Sequence, residues 1–293
     1  MKNKIFNFLY LKYLRYFRKY VRLSSEPYIS GDTFRKHSKH VRDEISQIDY
    51  SAVEKNDIVF IKTDYLDEFL NNEINKIKNY FILITHNSDY PITKKHTELL
   101  GNKNIKWFAQ NLSFDASKDL RFEPLPIGLE NRSFLKHGKI KNFDIFIPDK
   151  NKKNNKIYCS FNTLTNKKRI DVLNCVKENK LTDIENFSNH RNYIKKLSNY
   201  KFSICPIGNG LDTHRFWESI SVHTLPIVEN SEFIQNFKKL GVPMLILENW
   251  NDIENINEAT LINIYEDNYK KFNTENFLSI EFWINKIKSS QIK

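Results

Sequence analysis

From residue 57 onward, short runs of β-branched and aromatic residues alternate with longer polar stretches of helical spacing. Residues 57–64 (Asp-Ile-Val-Phe-Ile-Lys-Thr-Asp) predict a buried strand, 65–78 a helix, 80–85 (Tyr-Phe-Ile-Leu-Ile-Thr) the next strand and 93–100 another helix. Residues 105–109 and 122–127 add further strands. The rhythm resumes with a strand at 156–161, a helix at 168–177, a strand at 201–205 and a helix at 213–222. Short strands at 224–228 and 244–247 follow. Such alternation builds parallel sheets with helices on both faces, so the predicted fold class is α/β. Residues 149–155, polar and highly charged, read as a linker between the two blocks. Two amphipathic helices, 258–272 and 276–289, close the chain, and the last can cross back onto the first block.

The chain has 293 residues, close to the ~250–300 at which a single core stops growing, so two domains are expected. With 40% hydrophobic and 28% charged residues, 7 Gly and 8 Pro, a disordered or low-complexity chain is excluded. Aromatic residues reach 14%, enough for a large core with rings left over for stacking on sugars or bases. Three cysteines, Cys159, Cys175 and Cys205, follow no metal-type spacing and point to a reducing compartment rather than a disulfide framework.

The net charge of +11 raises the question of a nucleic-acid partner. Residues 1–25, however, carry seven of the positive charges (Lys2, Lys4, Lys12, Arg15, Arg18, Lys19, Arg22) and no acid, while the remainder is mildly basic and shows no recognition motif. A nucleic-acid partner is therefore not expected. Within that stretch Lys4, Asn7, Arg15, Arg18 and Arg22 share helical spacing, and Phe6, Leu9, Tyr13, Phe17 and Tyr20 take other faces. The pattern is that of a basic amphipathic helix, suited either to an anionic membrane surface or to packing on the body. No uncharged run approaches the ~18–20 residues of a membrane span, and Lys12 and Arg15 interrupt any signal-peptide core.

Chemistry concentrates after the strand ending at Cys205. The run Pro206-Ile-Gly208-Asn209-Gly210-Leu-Asp212-Thr213-His214-Arg215-Phe-Trp-Glu218 places two of seven glycines at a strand-to-helix junction. In open α/β sheets ligands bind beyond the carboxyl ends of strands, and a helix start there offers N–H groups and positive potential to an anion. Asp212 or Thr213 can cap the helix. Arg215 and Glu218, three apart, share a side, and they suit a phosphate and a ribose diol respectively; a plain surface ion pair is the alternative.

The stretch 202–220, Phe-Ser-Ile-Cys-Pro-Ile-Gly-Asn-Gly-Leu-Asp-Thr-His-Arg-Phe-Trp-Glu-Ser-Ile, followed by Leu225-Pro-Ile-Val228, resembles the C-terminal signature of exostosin-like (family 47-like) glycosyltransferases, including bacterial and viral relatives. Weaker resemblances lie at 161–169, 84–89 and 125–132, and Ser221-Val-His223 departs from the pattern. The resemblance implies a GT-B-like architecture, two Rossmann-like domains with parallel sheets facing across a cleft, here 26–150 on the acceptor side and 151–293 holding a nucleotide sugar. It implies inverting transfer from a UDP- or GDP-linked sugar to a glycan or glycolipid, with no tightly bound cofactor and no metal. The setting it implies is surface polysaccharide synthesis at the cytoplasmic face of a membrane.

Carried over, Arg215 would neutralise the departing diphosphate and Glu218 would hold the ribose. Asn209 and Gly210 would offer backbone donors, Asp212 is placed with the donor, and His214 either touches the phosphate or caps the buried helix start. Arg169, with Lys168, is a second phosphate candidate or a solvated first-turn arginine. Asn162, Thr165 and Asn166 either contact the substrates or cap the next helix. Inversion needs a base for the acceptor hydroxyl. Asp89 is preferred and His86 is the alternative, both on the turn after strand 80–85, although an Asx turn before Pro91 explains them too. Glu130 and Arg132 are expected on the acceptor side, and Asp32 is a weaker acceptor contact. A glycan-binding protein without catalysis is the competing class, and no P-loop pattern supports another nucleotide enzyme.

Overall fold

The computed structural model describes residues 9, 10, 12, 13, 16, 20–186, 189–274 and 276–293. The first lobe opens with α1 (Gly31–Lys36) and a parallel sheet of β1 (His40–Arg42), β2 (Ile58–Lys62), β3 (Phe81–His86), β4 (Ile105–Ala109) and β5 (Phe122–Pro124), with α2 (Lys94–Leu100) between β3 and β4. The strands lie side by side in chain order. Crossovers of the usual right hand that always step the same way put every connection on one face. Val59, Ile61, Phe81, Leu83, Ile105 and Trp107 look to that face and pack on Leu66, Phe69, Leu70, Ile74 and Leu100. The alternate residues Phe60, Ile82, Ile84 and Phe108 look the other way, as period-2 strands require.

That second face is left bare by the sheet's own connections, and elements from both chain ends cover it. Phe34 of α1 does so, with Trp283, Ile284 and Ile287 of the C-terminal helix Ile280–Lys288. Backbone bonds Ile29 N to Leu278 O and Ile280 N to Pro27 O, both 2.9 Å, fix the return, as does Tyr80 Oη donating to Ser290 O at 2.7 Å. The expected helix at 65–78 is instead a chain of short turns, with a π turn at Phe69–Glu73. Asn71 Nδ2 donates to the Asp67 carbonyl at 2.7 Å, occupying the acceptor that a regular helix would use.

The second lobe contains β6 (Asn154–Cys159), α3 (Lys168–Lys177), β7 (Thr182–Ile184), α4 (His190–Leu197), β8 (Tyr200–Ile204), α5 (His214–Ser221), β9 (Leu225–Glu229), α6 (Glu232–Lys239), β10 (Leu245–Leu247) and α7 (Glu258–Tyr269), followed by α8 (Ile280–Lys288). Its parallel strands run in the order β10-β9-β8-β6-β7. The winding reverses after β7, so a topological switch point opens between β6 and β8, where ligands of α/β sheets bind. The two parallel-sheet lobes face each other across a cleft in the GT-B-like arrangement that the sequence resemblance implies, with the reversed winding confined to the second.

The segment at 149–155 is not a free linker. Asp149 caps a 3₁₀ turn at Lys150–Lys152, and β6 begins at Asn154. Lys153 is buried, donates to Val222 O at 2.7 Å and is pushed down to about 7 by desolvation. The lobes also share one core, since Phe216, Trp217, Phe233 and Phe237 of α5 and α6 join the cluster containing Phe108, Leu125 and Leu129. Free swinging of lobes is the expectation only for small polar interfaces, and this one is broad and apolar.

Asn236 stitches the same seam. Its Oδ1 accepts from Ala116 N at 3.0 Å and its Nδ2 donates to Phe114 O at 2.8 Å, both in the first lobe. Asn236→Ala leaves a buried N–H and a buried carbonyl without partners, a loss of about 2 kcal/mol. Urea unfolding reads this as a lower midpoint at unchanged slope; an unaltered midpoint would show that the seam does not depend on that amide.

Of the N-terminal helix predicted over 1–25, the described positions 9, 10, 12, 13, 16 and 20 are helical and exposed, while Lys2, Lys4, Arg15, Arg18 and Lys19 lie outside the described residues. Arg22 does not serve a lipid-facing stripe. It pairs with Glu44 and stands 4.0 Å from Asp32 Oδ1, turned onto the first lobe. Among the described residues no helix is long and apolar enough to cross a membrane.

Candidate active site

The cleft holds a cavity of about 1310 Å³, more than a single small ligand needs. The glycine turn and α5 form one wall; the loops after β3 and β5 form the other, joined by Lys12 and Arg22 of the N-terminal segment. At the turn, Gly208 N donates to Gly210 O at 3.0 Å. Neither glycine has a positive φ. What Gly210 provides is close approach, since a Cβ there would lie 2.9 Å from Asn111 Nδ2 and 3.3 Å from Asp89 O of the facing lobe. Asn209 remains exposed at the tip and lines the cavity.

Thr213 is the N-cap of α5 but its side chain makes no capping bond. Asp212, expected as the other cap candidate, accepts from Thr213 N at 2.8 Å and from the Trp217 side chain Nε1 at 2.9 Å, and so holds the approach to α5 without capping its first turn. It also accepts from Ile127 N of the first lobe at 2.7 Å, and its own N–H donates to Asn111 Oδ1 at 2.8 Å. Burial raises the carboxyl to about 6 in spite of these bonds. Asp212, expected beside the phosphates, is thus a clamp between lobes with its oxygens already engaged.

His214 opens α5. Its Nδ1 bonds to Gly128 O at 2.8 Å, and its Nε2 lies 3.4 Å from Glu130 Oε1 across the cleft. Burial opposes the imidazolium, but Glu130 outweighs it and raises the group to about 9, so a positive charge stands at the helix start at neutral pH. Glu130, which burial would neutralise, is held below its ordinary value by the same pairing. Its role is therefore to fix His214, and it is not a free acceptor ligand.

Arg215 Nη1 donates to Tyr193 Oη at 2.8 Å, and the guanidinium carbon lies 5.1 Å from the Tyr193 ring centre. Its Nε is buried without a partner. Desolvation works against the charge, yet Tyr193 and Glu218 hold the guanidinium above its ordinary value. Glu218 is buried, and its Oε1 accepts from His190 Nε2 at 2.7 Å. Asn142 Nδ2 lies 2.8 Å from His190 Nδ1 and holds the ring in place. That bond and the nearby charges overcome burial and keep Glu218 ionised, with Oε2 remaining as an acceptor.

Several expected contacts fall elsewhere. Arg169 is not solvated: it sits at the switch point with Nε on Ile207 O at 2.8 Å and Nη1 on Asn162 O at 3.1 Å. Burial, then the charge of Arg215, lowers it to about 10. It braces the loops while its edge lines the cavity, so most of its bonding capacity is unavailable to a phosphate. Asn162 caps the 3₁₀ turn at Thr163–Thr165 through Leu164 N and does not line the cavity. Arg132 is exposed, bonds to Ser24 O at 3.2 Å and likewise lies outside the lining.

On the first lobe, His86 is excluded as a base. Its Nε2 bonds to Pro126 O at 3.0 Å, its Nδ1 accepts from Asn87 N at 2.7 Å, and burial lowers it to about 4. Asp89 lies three residues further, exposed on the cavity lining, and its carboxylate makes no hydrogen bond or ion pair within the protein. Sequence reasoning missed the polar net behind it. Asn87, at φ 61°, donates to Asp32 Oδ1 at 3.2 Å and accepts from Asn131 Nδ2 at 2.8 Å. Gly31 makes room for it, since a Cβ there would stand 1.7 Å from Asn87 Oδ1. Asp32 is buried, raised to about 6 mainly by desolvation, and so supports the wall instead of contacting an acceptor. Among the described residues no group of three His, Cys, Asp or Glu side chains is placed to hold a metal ion.

Residues 149–274, which include the glycine turn, Arg215 and Glu218, match the family model described as the RXYLT1 C-terminal domain. That match supports a glycosyltransferase. No curated protein sequence matches the chain. Among solved structures, an α,α-trehalose-phosphate synthase (UDP-forming) from Burkholderia vietnamiensis aligns over 82% of this chain and 76% of its own, at 7% identity and a TM-score of 0.46.

Proposed function

We propose that the protein transfers a sugar, with inversion, from a UDP- or GDP-linked donor to a glycan or glycolipid acceptor, with protein cations serving at the leaving diphosphate. The setting we propose is surface polysaccharide synthesis at the cytoplasmic face of a membrane. One observation carries the reading: Arg215 faces the interlobe cavity beside the glycine turn, its Nε without a protein partner, next to an imidazolium at the start of α5. A departing nucleoside diphosphate develops negative charge there. Preorganised donors in a water-poor cleft stabilise that charge without reorganising.

Glu218 Oε2 suits the ribose diol, one helical turn beyond the phosphate position. Asp89 faces the same space from the opposite wall and takes the acceptor's proton as its oxygen attacks the anomeric carbon from the side opposite the diphosphate. The test is a panel of UDP- and GDP-sugars incubated with and without glycan acceptors, followed by released nucleoside diphosphate. Consumption of one donor class, increased by an acceptor, is the expected result. Glycan binding with no donor consumed across the panel would replace the enzyme with a lectin.

A further inference from the structure

The segment that joins the lobes between Leu129 and Phe143 belongs to neither sheet, yet it contributes to the cavity wall. It coils tightly: Phe134 N bonds to Asn131 O at 2.9 Å, His137 N to Phe134 O at 3.0 Å and Gly138 N to Phe134 O at 2.8 Å. Gly138 permits the coil, because a Cβ there would stand 2.0 Å from Asn131 O. The result brings two rings, Phe134 and His137, onto the cavity lining. The His137 ring centre is 5.1 Å from that of His190, which in turn donates to Glu218. An exposed flat ring therefore stands one residue beyond the carboxylate assigned to the ribose.

We infer that His137 forms the platform on which the nucleobase of the donor stacks. This rests on the diphosphate and ribose assignments above. Along α5 the order runs from Arg215 to Glu218, and a ligand continuing in that direction next meets the coil. Partial burial and the neighbouring His190 hold His137 below its ordinary histidine value, so at neutral pH it offers a neutral aromatic face and does not compete for the diphosphate. Aromatic stacking accepts any base, and discrimination between bases is left to edge contacts.

The experiment measures UDP and GDP affinity by calorimetry for the full chain and for His137→Ala and His137→Phe, with the melting temperature of each ligand-free variant as the folding control. Loss of one stacking partner weakens binding about tenfold, and His137→Phe restores it. Donor KM rises in His137→Ala while kcat stays near that of the unaltered enzyme. Inorganic pyrophosphate, which has no base, binds His137→Ala as it binds the unaltered chain. Unchanged nucleotide affinity in a folded His137→Ala, in which an exposed side chain is removed, overturns the platform and leaves the catalytic reading standing. Failure of the unaltered chain to bind either nucleotide overturns both.

Discussion

Arg215→Ala lowers kcat/KM for donor consumption by about 10³-fold and leaves the protein folded. The size follows from what the side chain does. A single preorganised donor to developing negative charge is worth about 10²–10³ in rate, and a guanidinium contributes a full charge as well as its hydrogen bonds. The fold survives because the only side-chain bond lost is the one to Tyr193 Oη, worth about 1 kcal/mol. Much of the loss falls on kcat, since the diphosphate carries more charge as it leaves than when attached to the sugar. Arg215→Lys recovers a small part, because an ammonium keeps the charge but not the fork that reaches Tyr193 and the ligand together. Steady-state rates of nucleoside diphosphate release, with circular dichroism of the variant, check the result. A folded Arg215→Ala with near-normal kcat/KM would remove the leaving-group assignment altogether.

The parts of this site that the sequence made legible are those governed by local rules. Helix 168–177 is found at its predicted bounds, and the strand at 105–109 likewise, because their signals act over a few residues: Asn166 Oδ1 accepts from Lys168 N at the helix start, and the strand is apolar at every position but Lys106. β1 and β7 leave no signal in the sequence, since three-residue edge strands are too short to display alternation. α4 is mostly polar, with Tyr193, Ile194 and Leu197 the only apolar residues on a buried side that also includes His190, and α6 is only eight residues long, with three residues between it and the strand 224–228.

Pairings distant in the chain follow another logic. His190 meets Glu218 over a separation of 28 residues, and Asp212 meets Ile127 over 85, so each depends on how sheets and lobes pack. Arg169 illustrates the difference well. Its position after β6 was readable, whereas its inward guanidinium, bonded to carbonyls of two loops, is a property of the switch point where those loops converge. The same holds for the glycine at 210, whose local signature is a turn but whose requirement comes from Asn111 on the other lobe.

Asp89→Asn lowers kcat by about 10³-fold and leaves donor KM within a factor of about two. Among the described residues the first lobe presents four groups on the cavity lining that could accept a proton: Glu44, His86, Glu130 and Asp89, and Glu44 is paired with Arg22. His86 has both nitrogens committed and is too weak a base at about 4. Glu130 holds the His214 imidazolium, and protonating it would remove the pairing that keeps His214 charged. Of the four, Asp89 alone has its side chain unengaged by the protein. It is also three residues from a strand end, where β3 sets the backbone while the turn leaves the side chain exposed. An amide in its place keeps the size and loses the basicity, so acceptor binding survives and proton removal does not. Donor hydrolysis by water, which needs less help from the base than transfer to a bound hydroxyl, falls less than transfer in the same variant. Measuring both on one preparation separates a base from a residue that merely shapes the wall: equal losses in hydrolysis and transfer, or a kcat within about twofold of normal, would exclude Asp89 from the proton step.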